Sequence, residues 1–162
     1  MPEVICNTTP LRYLHQIGCL QLLPQLYQQL IVPRAVMDEL RQGELRGIDI
    51  PFLGALEWVS VQTVSSVDLR RVPAGLDAGE NEVLALALGK VDPLVILDDA
   101  AARSQARVLG IPFTGTVGVL MKAKQTGLIP AIRPRLDQLD TAGFYLRPEV
   151  RAQVLELTGE TP

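Results

Sequence analysis

Only two cysteines and one histidine occur in this chain. There is no C-x-x-C pair and no histidine at ligand spacing from either thiol, so neither a zinc site nor a disulfide framework is supported. Cys6 lies in a strand-like run and Cys19 in a helical one, and both are expected to be buried thiols. His15 has no Ser or Cys nucleophile in a recognisable setting, which argues against triad chemistry; a place on a helix surface or in a satisfied core is expected. No apolar run approaches the roughly 20 residues that span a bilayer, so no membrane partner is expected. The opening "MPEVICNTTP" has neither a basic n-region nor a long apolar h-region, and a cytoplasmic location is the expectation. Excess positive charge is missing too. A net charge of -3 and a pI near 5.2 argue against a protein that coats nucleic acid, since such domains usually lie above pI ~9. An enzyme that acts on nucleic acid is not excluded by this. Basic residues do gather locally, as Arg103 with Arg107, Lys122 with Lys124 and Arg133 with Arg135, although solvated helix faces are the commoner explanation. Phosphate-cradling loops are absent: "GTVGVLMK" lacks the G-K-[ST] ending, and no G-x-G-x-x-G follows the first strand. No internal repeat or low-complexity tract interrupts the chain.

What is present is a core's worth of apolar sequence in an alternating pattern. With 162 residues, 48% of them hydrophobic, the chain suffices for one well-formed domain, spanning 1–162. "EVIC" reads as a strand, and Thr9 with Pro10 opens a helical segment through about Leu23. "QLIVP" is a second strand, followed by the helix "RAVMDELRQG", ending near Gly43, and an irregular connection. "EWVSVQTV" is a third strand. "LDAGENEVLALALG" is a helix whose Asp77-x-x-Glu80 opening has the form of a capping box. "PLVIL" and "IPFTG" are the fourth and fifth strands, with helices "AAARSQARVLG", stopped at Gly110, and "TVGVLMKAKQTG" after them. The remainder is expected to hold two more helices and a frayed end. Continuously apolar strands alternating with helices indicate an α/β fold, a three-layer α/β/α sandwich around a mostly parallel sheet. Ligands of such sheets bind beyond the carboxyl ends of the strands, where the strand order reverses.

At those ends the acids accumulate. In "LVILDDAAARSQARVLG" a buried strand stops at Asp98 and Asp99; one N-cap explains one carboxylate, and two adjacent like charges exceed what a cap requires. Asn7 ends the first strand in "NTTP". Glu39 and Glu80 sit on the helices after strands two and three, Glu80 in the first turn and Glu39 about six residues in. Each has a structural explanation, a solvated helix face for Glu39 and the capping box for Glu80. Gathered together, oxygen donors of this kind suit Mg²⁺ or Mn²⁺.

Taken together, "VICNTTPLRYL", "IVPRAVMDEL", "LDAGENEVLALAL", "VILDDAAARSQARVLG" and "FTGTVGVLMKAK" resemble the PIN-domain superfamily, in particular the branch that looks like the VapC-type toxins. The resemblance covers a core of about 3–130, with C-terminal helices at about 131–157. It implies a five-stranded parallel sheet ordered 3-2-1-4-5 and a Mg²⁺- or Mn²⁺-dependent endoribonuclease, the toxin of a toxin–antitoxin pair. RNA is then the substrate and a small antitoxin protein the partner. By the same resemblance the metal ligands are Asn7, Glu39, Glu80 and Asp98 or Asp99, the four acids also being the catalytic residues. Thr8 or Thr9 and Thr116 are supporting hydroxyls, and Arg103 holds an acid or meets a substrate phosphate. The family's first position is normally Asp, so Asn7 removes one negative charge from a site whose affinity depends on charge count. Two other readings remain: a non-catalytic PIN-fold module binding RNA or protein, and a small-molecule phosphohydrolase on a similar sheet. The leucine-rich stretch "TPLRYLHQIGCLQLLPQLYQQL" holds more apolar residues than one stripe needs, which favours an exposed patch and a homodimer over a bent helix pair buried within one domain.

Overall fold

The computed structural model describes residues 1–161. The apolar runs form strands β1 (Glu3–Cys6), β2 (Leu30–Pro33), β3 (Val59–Gln62), β4 (Pro93–Ile96) and β5 (Phe113–Thr114). They make one sheet in the order β3-β2-β1-β4-β5, every neighbouring pair parallel. β2 is buried along its whole length, and β1 at every residue but Glu3, because helices cover both faces and leave no polar side for alternation. The helices are α1 (Thr8–Gln16), α2 (Leu22–Tyr27), α3 (Arg34–Leu45), α4 (Ser66–Leu69), α5 (Ala78–Leu88), α6 (Ala100–Val108), α7 (Thr116–Gln125), α8 (Arg133–Thr141) and α9 (Pro148–Leu157). α5 packs against β1, β2 and β4, α2 against β2 and α7 against β5. This is the α/β/α sandwich, with the strand order, expected above.

Register places the chemistry. Cys6 pairs with Ile96, and the Asn7 amide donates to the Ile96 carbonyl at 3.0 Å, so the residues that follow β1 and β4 emerge side by side. The order reverses between these two strands, and the crevice of the fold opens there.

Four local expectations are corrected. The helix expected through Leu23 ends at Gln16, because Gly18 adopts φ +71° and closes a Schellman turn: Gly18 N–H bonds the His15 carbonyl and Cys19 N–H the Leu14 carbonyl. The same arrangement closes α6 at Gly110, as expected. α3 continues two residues past Gly43. α4 was not anticipated, although Ser65 accepting from the Asp68 amide at 3.1 Å is an ordinary N-cap. Near the end expected to fray, Glu160 is tied down: its carboxylate accepts from Ile132 N–H at 2.7 Å, Arg133 N–H at 3.2 Å and Lys124 Nζ at 2.7 Å.

The leucine-rich stretch is also spent inside the chain. Leu11, Leu14, Ile17, Leu22, Leu23, Tyr27 and Leu30 are buried in the common core, with Tyr13, Leu20 and Leu26 packed against it. The exposed patch inferred for homodimer pairing is therefore not at this place. The two thiols are free and buried, as expected. His15 meets Asp49 Oδ1 at 2.9 Å on the surface.

Candidate active site

Asn7 occupies the N-cap position of α1, yet its side chain caps nothing. Three residues past this cap position the N3 donor is missing altogether, since Pro10 has no N–H to offer. The Asn7 amide oxygen Oδ1 is instead buried with no hydrogen-bond partner, and the residue is 5% exposed. A buried acceptor left this way costs about 1–3 kcal/mol, more than a helix cap is worth.

Across from it, Glu39 reaches back to the sheet edge from α3. Its Oε2 accepts from Thr8 Oγ1 at 2.5 Å and its Oε1 from Gly79 N–H at 3.0 Å. Burial raises its proton affinity above the ordinary glutamate range, the Thr8 bond opposing the rise. Gly79 is where the carboxylate and the amide converge: a Cβ there would lie 2.6 Å from Glu39 Oε1 and 3.1 Å from Asn7 Oδ1. Any side chain at this position would fill the space between the two donors.

Glu80 follows on α5 and completes the expected capping box, donated to by Asp77 N–H while Asp77 Oδ1 receives the Glu80 amide at 2.8 Å. That accounts for Oε1. Oε2 is buried and unpartnered, in a residue 7% exposed. Burial, then the bond and charge of Asp77 and the charge of Asp99, push the Glu80 carboxyl up to about 8.

The adjacent aspartates divide the work. Asp99 is the N-cap of α6, its Oδ2 accepting from Ala102 N–H at 2.9 Å, and its charge reaches Glu80. Asp98 turns the other way. Its Oδ1 accepts from Thr116 N–H at 2.8 Å and its Oδ2 from Thr116 Oγ1 at 2.6 Å, clasping the turn between β5 and α7. Burial raises its proton affinity; the Thr116 bonds and Arg103 oppose that. Arg103 donates through Nε to the Leu97 carbonyl at 2.9 Å and holds a terminal nitrogen 3.9 Å from Asp98 Oδ1, packed so closely on Gly115 that no Cβ fits there. Of the expected hydroxyls, Thr8 serves Glu39 and Thr116 serves Asp98; Thr9 makes no side-chain hydrogen bond among the described residues.

Asn7 and Glu39 thus meet at Gly79, next to Glu80, whose carboxyl feels the charge of Asp99, while Asp98, Thr116 and Arg103 form their own cluster at the β5–α7 turn. Among the described residues no three His, Cys, Asp or Glu side chains come together closely enough to hold a metal ion as they stand. The donors are nonetheless all hard oxygens, and two of them, Asn7 Oδ1 and Glu80 Oε2, are buried with nothing to bind. That chemistry fits a small divalent cation and no soft metal.

A family model described as a PIN domain matches residues 3–160, nearly the whole chain. The chain belongs to the PIN-domain family. PIN domains generally use divalent metal ions, which agrees with the oxygen-only donor set. A search of curated proteins found no match. Among the described residues of this PIN domain no helix is long and apolar enough to cross a membrane.

Two residues that matter to this edge were not singled out from the sequence. Gly79 carried a signal, since a glycine inside a helix's first turn costs stability and calls for a packing reason. Arg12 carried a weaker one, its i,i+4 spacing from Thr8 on α1.

Proposed function

We propose that this PIN domain is a Mg²⁺- or Mn²⁺-dependent endoribonuclease of the VapC-like toxin kind, acting in the cytoplasm and held in check by a small antitoxin protein. The observation that carries the reading is the pair of buried, unpartnered oxygens, Asn7 Oδ1 and Glu80 Oε2, at the strand-order reversal. Asn7, Glu39, Glu80 and Asp99 would hold the cation. Bound there, it would lower the pKa of a water and offset charge on the leaving oxygen of a phosphodiester. The chain's residues do the rest. Thr8 and Gly79 fix the Glu39 carboxylate in one orientation. Without the cation the Glu80 carboxyl, near 8, keeps its proton around neutral pH, so holding the ion at Oε2 would be coupled to release of that proton. Asp98 and Arg103 act at one remove, by fixing the β5–α7 turn against the end of β4.

A second reading, a PIN-fold module that binds RNA or protein without cutting, is favoured by two facts: Asn7 brings an oxygen without a charge, and among the described residues no three acids are already gathered. Cleavage of structured and single-stranded RNA in Mn²⁺ by the wild type and by Asn7→Asp separates the two. Cutting that stops in EDTA and quickens in Asn7→Asp is expected. If neither form cuts any RNA, the enzyme reading fails and the module reading replaces it.

A further inference from the structure

Beside the acidic crevice, between α1 and α3, lies a groove of about 530 Å³. Thr8 and Glu39 line it together with the apolar Ile48 and Ile50 and two cations, Arg12 and Arg46. Arg12 stands one turn beyond Thr8 on α1, about 6 Å along the helix axis. Its Nε is buried and makes no hydrogen bond, and no carboxylate lies within ion-pair distance of its guanidinium among the described residues. Asp38 lines the same groove without pairing with it. What fixes the guanidinium is an aromatic face, the Tyr13 ring, whose centre is 4.9 Å from Cζ. Tyr13 is itself locked edge-on against Phe144.

A half-buried guanidinium set against an aromatic ring, with no carboxylate paired to it, is disposed to take an anion at its outer nitrogens. We propose that Arg12, with Arg46 further out, binds a backbone phosphate of the RNA strand next to the one presented to Glu39 and Glu80. The inference rests on the ribonuclease reading for the identity of the strand. The apolar floor suits the sugar and base edge of that nucleotide, while the planar fork of Arg12 suits the two free oxygens of a phosphodiester. A phosphate contact of this kind contributes affinity and fixes the direction of the strand without itself carrying sequence preference.

The test uses the full chain, without divalent metal, and a short fluorescein-labelled single-stranded RNA whose binding is followed by anisotropy over a series of salt concentrations. EDTA prevents cutting, so binding is read apart from catalysis. Arg12→Gln is expected to weaken binding about tenfold and to make the plot of log affinity against log salt shallower by about 0.7, the share of one phosphate on a single strand. Arg12→Lys keeps the charge and should keep the slope. An unlabelled oligo-glutamate at matched charge should compete poorly. Wild-type affinity and slope in a folded Arg12→Gln protein, or no RNA binding by the wild type, overturns the proposal; equal displacement by oligo-glutamate reassigns the groove to an acidic protein segment and overturns it too. If Arg12 governs RNA binding but no RNA is cut in Mn²⁺, the groove stands and the ribonuclease reading alone falls.

Discussion

The two walls of the crevice differ in how completely their polar atoms are used. On the β4–β5 side, both oxygens of Asp98 are taken by Thr116, and Arg103 closes over them. On the β1–α5 side, Asn7 and Glu80 each keep a buried oxygen without a partner. The neighbouring aspartates differ as well: Asp98 is clasped by Thr116, while Asp99 is an exposed helix cap. A satisfied buried carboxylate is paired structure, and breaking it destabilises; an unsatisfied one is a cost the fold carries for another purpose.

Replacement at the two adjacent aspartates should therefore have opposite effects. Asp98→Ala leaves the Thr116 N–H and hydroxyl without an acceptor in a residue that is 0% exposed. A loss of about 2–4 kcal/mol of stability is expected in urea unfolding, with Mn²⁺ binding by the surviving folded protein preserved. Asp99→Ala removes one exposed helix cap and should cost about 1 kcal/mol, while weakening Mn²⁺ binding. The reverse pattern would mean that the walls have been assigned the wrong way round.

The next effect depends on pH. The Glu80 carboxyl is near 8 in the folded chain against an ordinary 4.5, so between those values the unfolded chain gives up a proton that the folded one keeps. Stability of the metal-free protein accordingly falls as pH rises through that window. Glu80→Gln, which imitates the neutral acid and can still accept from Asp77 N–H, should escape the fall. Its melting temperature relative to wild type should climb from pH 4.5 to pH 8. A difference that is flat with pH would show that Glu80 is ionised throughout.

Much of this division could be read in the sequence, and the unread part has a physical cause. Continuously apolar strands alternating with helices fixed the class of fold, and the acids at strand ends marked the edge. The D-x-x-E capping box and the Gly110 stop are purely local, and both formed as expected. Which aspartate clasps Thr116 could not be read from sequence, because it depends on where Thr116 arrives from β5, a contact 18 residues away. The helix end at Gln16 had a signal in Gly18, but the leucines on either side suggested one continuous element. Those leucines also suggested an exposed patch, when α1 and α2 lie at a bend and bury them in one core. The Glu160 clasp was invisible for the same reason as the Asp98 one: its partners are at 124, 132 and 133.

That clasp supplies the smallest expected effect and a control remote from the crevice. Bonds from the Ile132 amide and Lys124, with a further one from the Arg133 amide, hold the Glu160 carboxyl down at about 2, against an ordinary 4.5. Its contribution is complete above pH 4.5 and is lost as pH falls toward 2. Glu160→Gln should flatten that part of the acid-unfolding curve, seen by circular dichroism, and leave Mn²⁺ binding untouched. Equal acid sensitivity in the two proteins would count against the clasp.

The central claim, that the unpartnered oxygens of Asn7 and Glu80 exist to hold a divalent ion, is tested most directly by calorimetric titration of Mn²⁺ into the wild type, Asn7→Asp and Glu80→Gln. One ion is expected to bind the wild type, about tenfold more tightly when Asn7→Asp restores a charge and undetectably in Glu80→Gln. Absence of binding in both wild type and Asn7→Asp, or binding that Glu80→Gln leaves unchanged, would contradict the account.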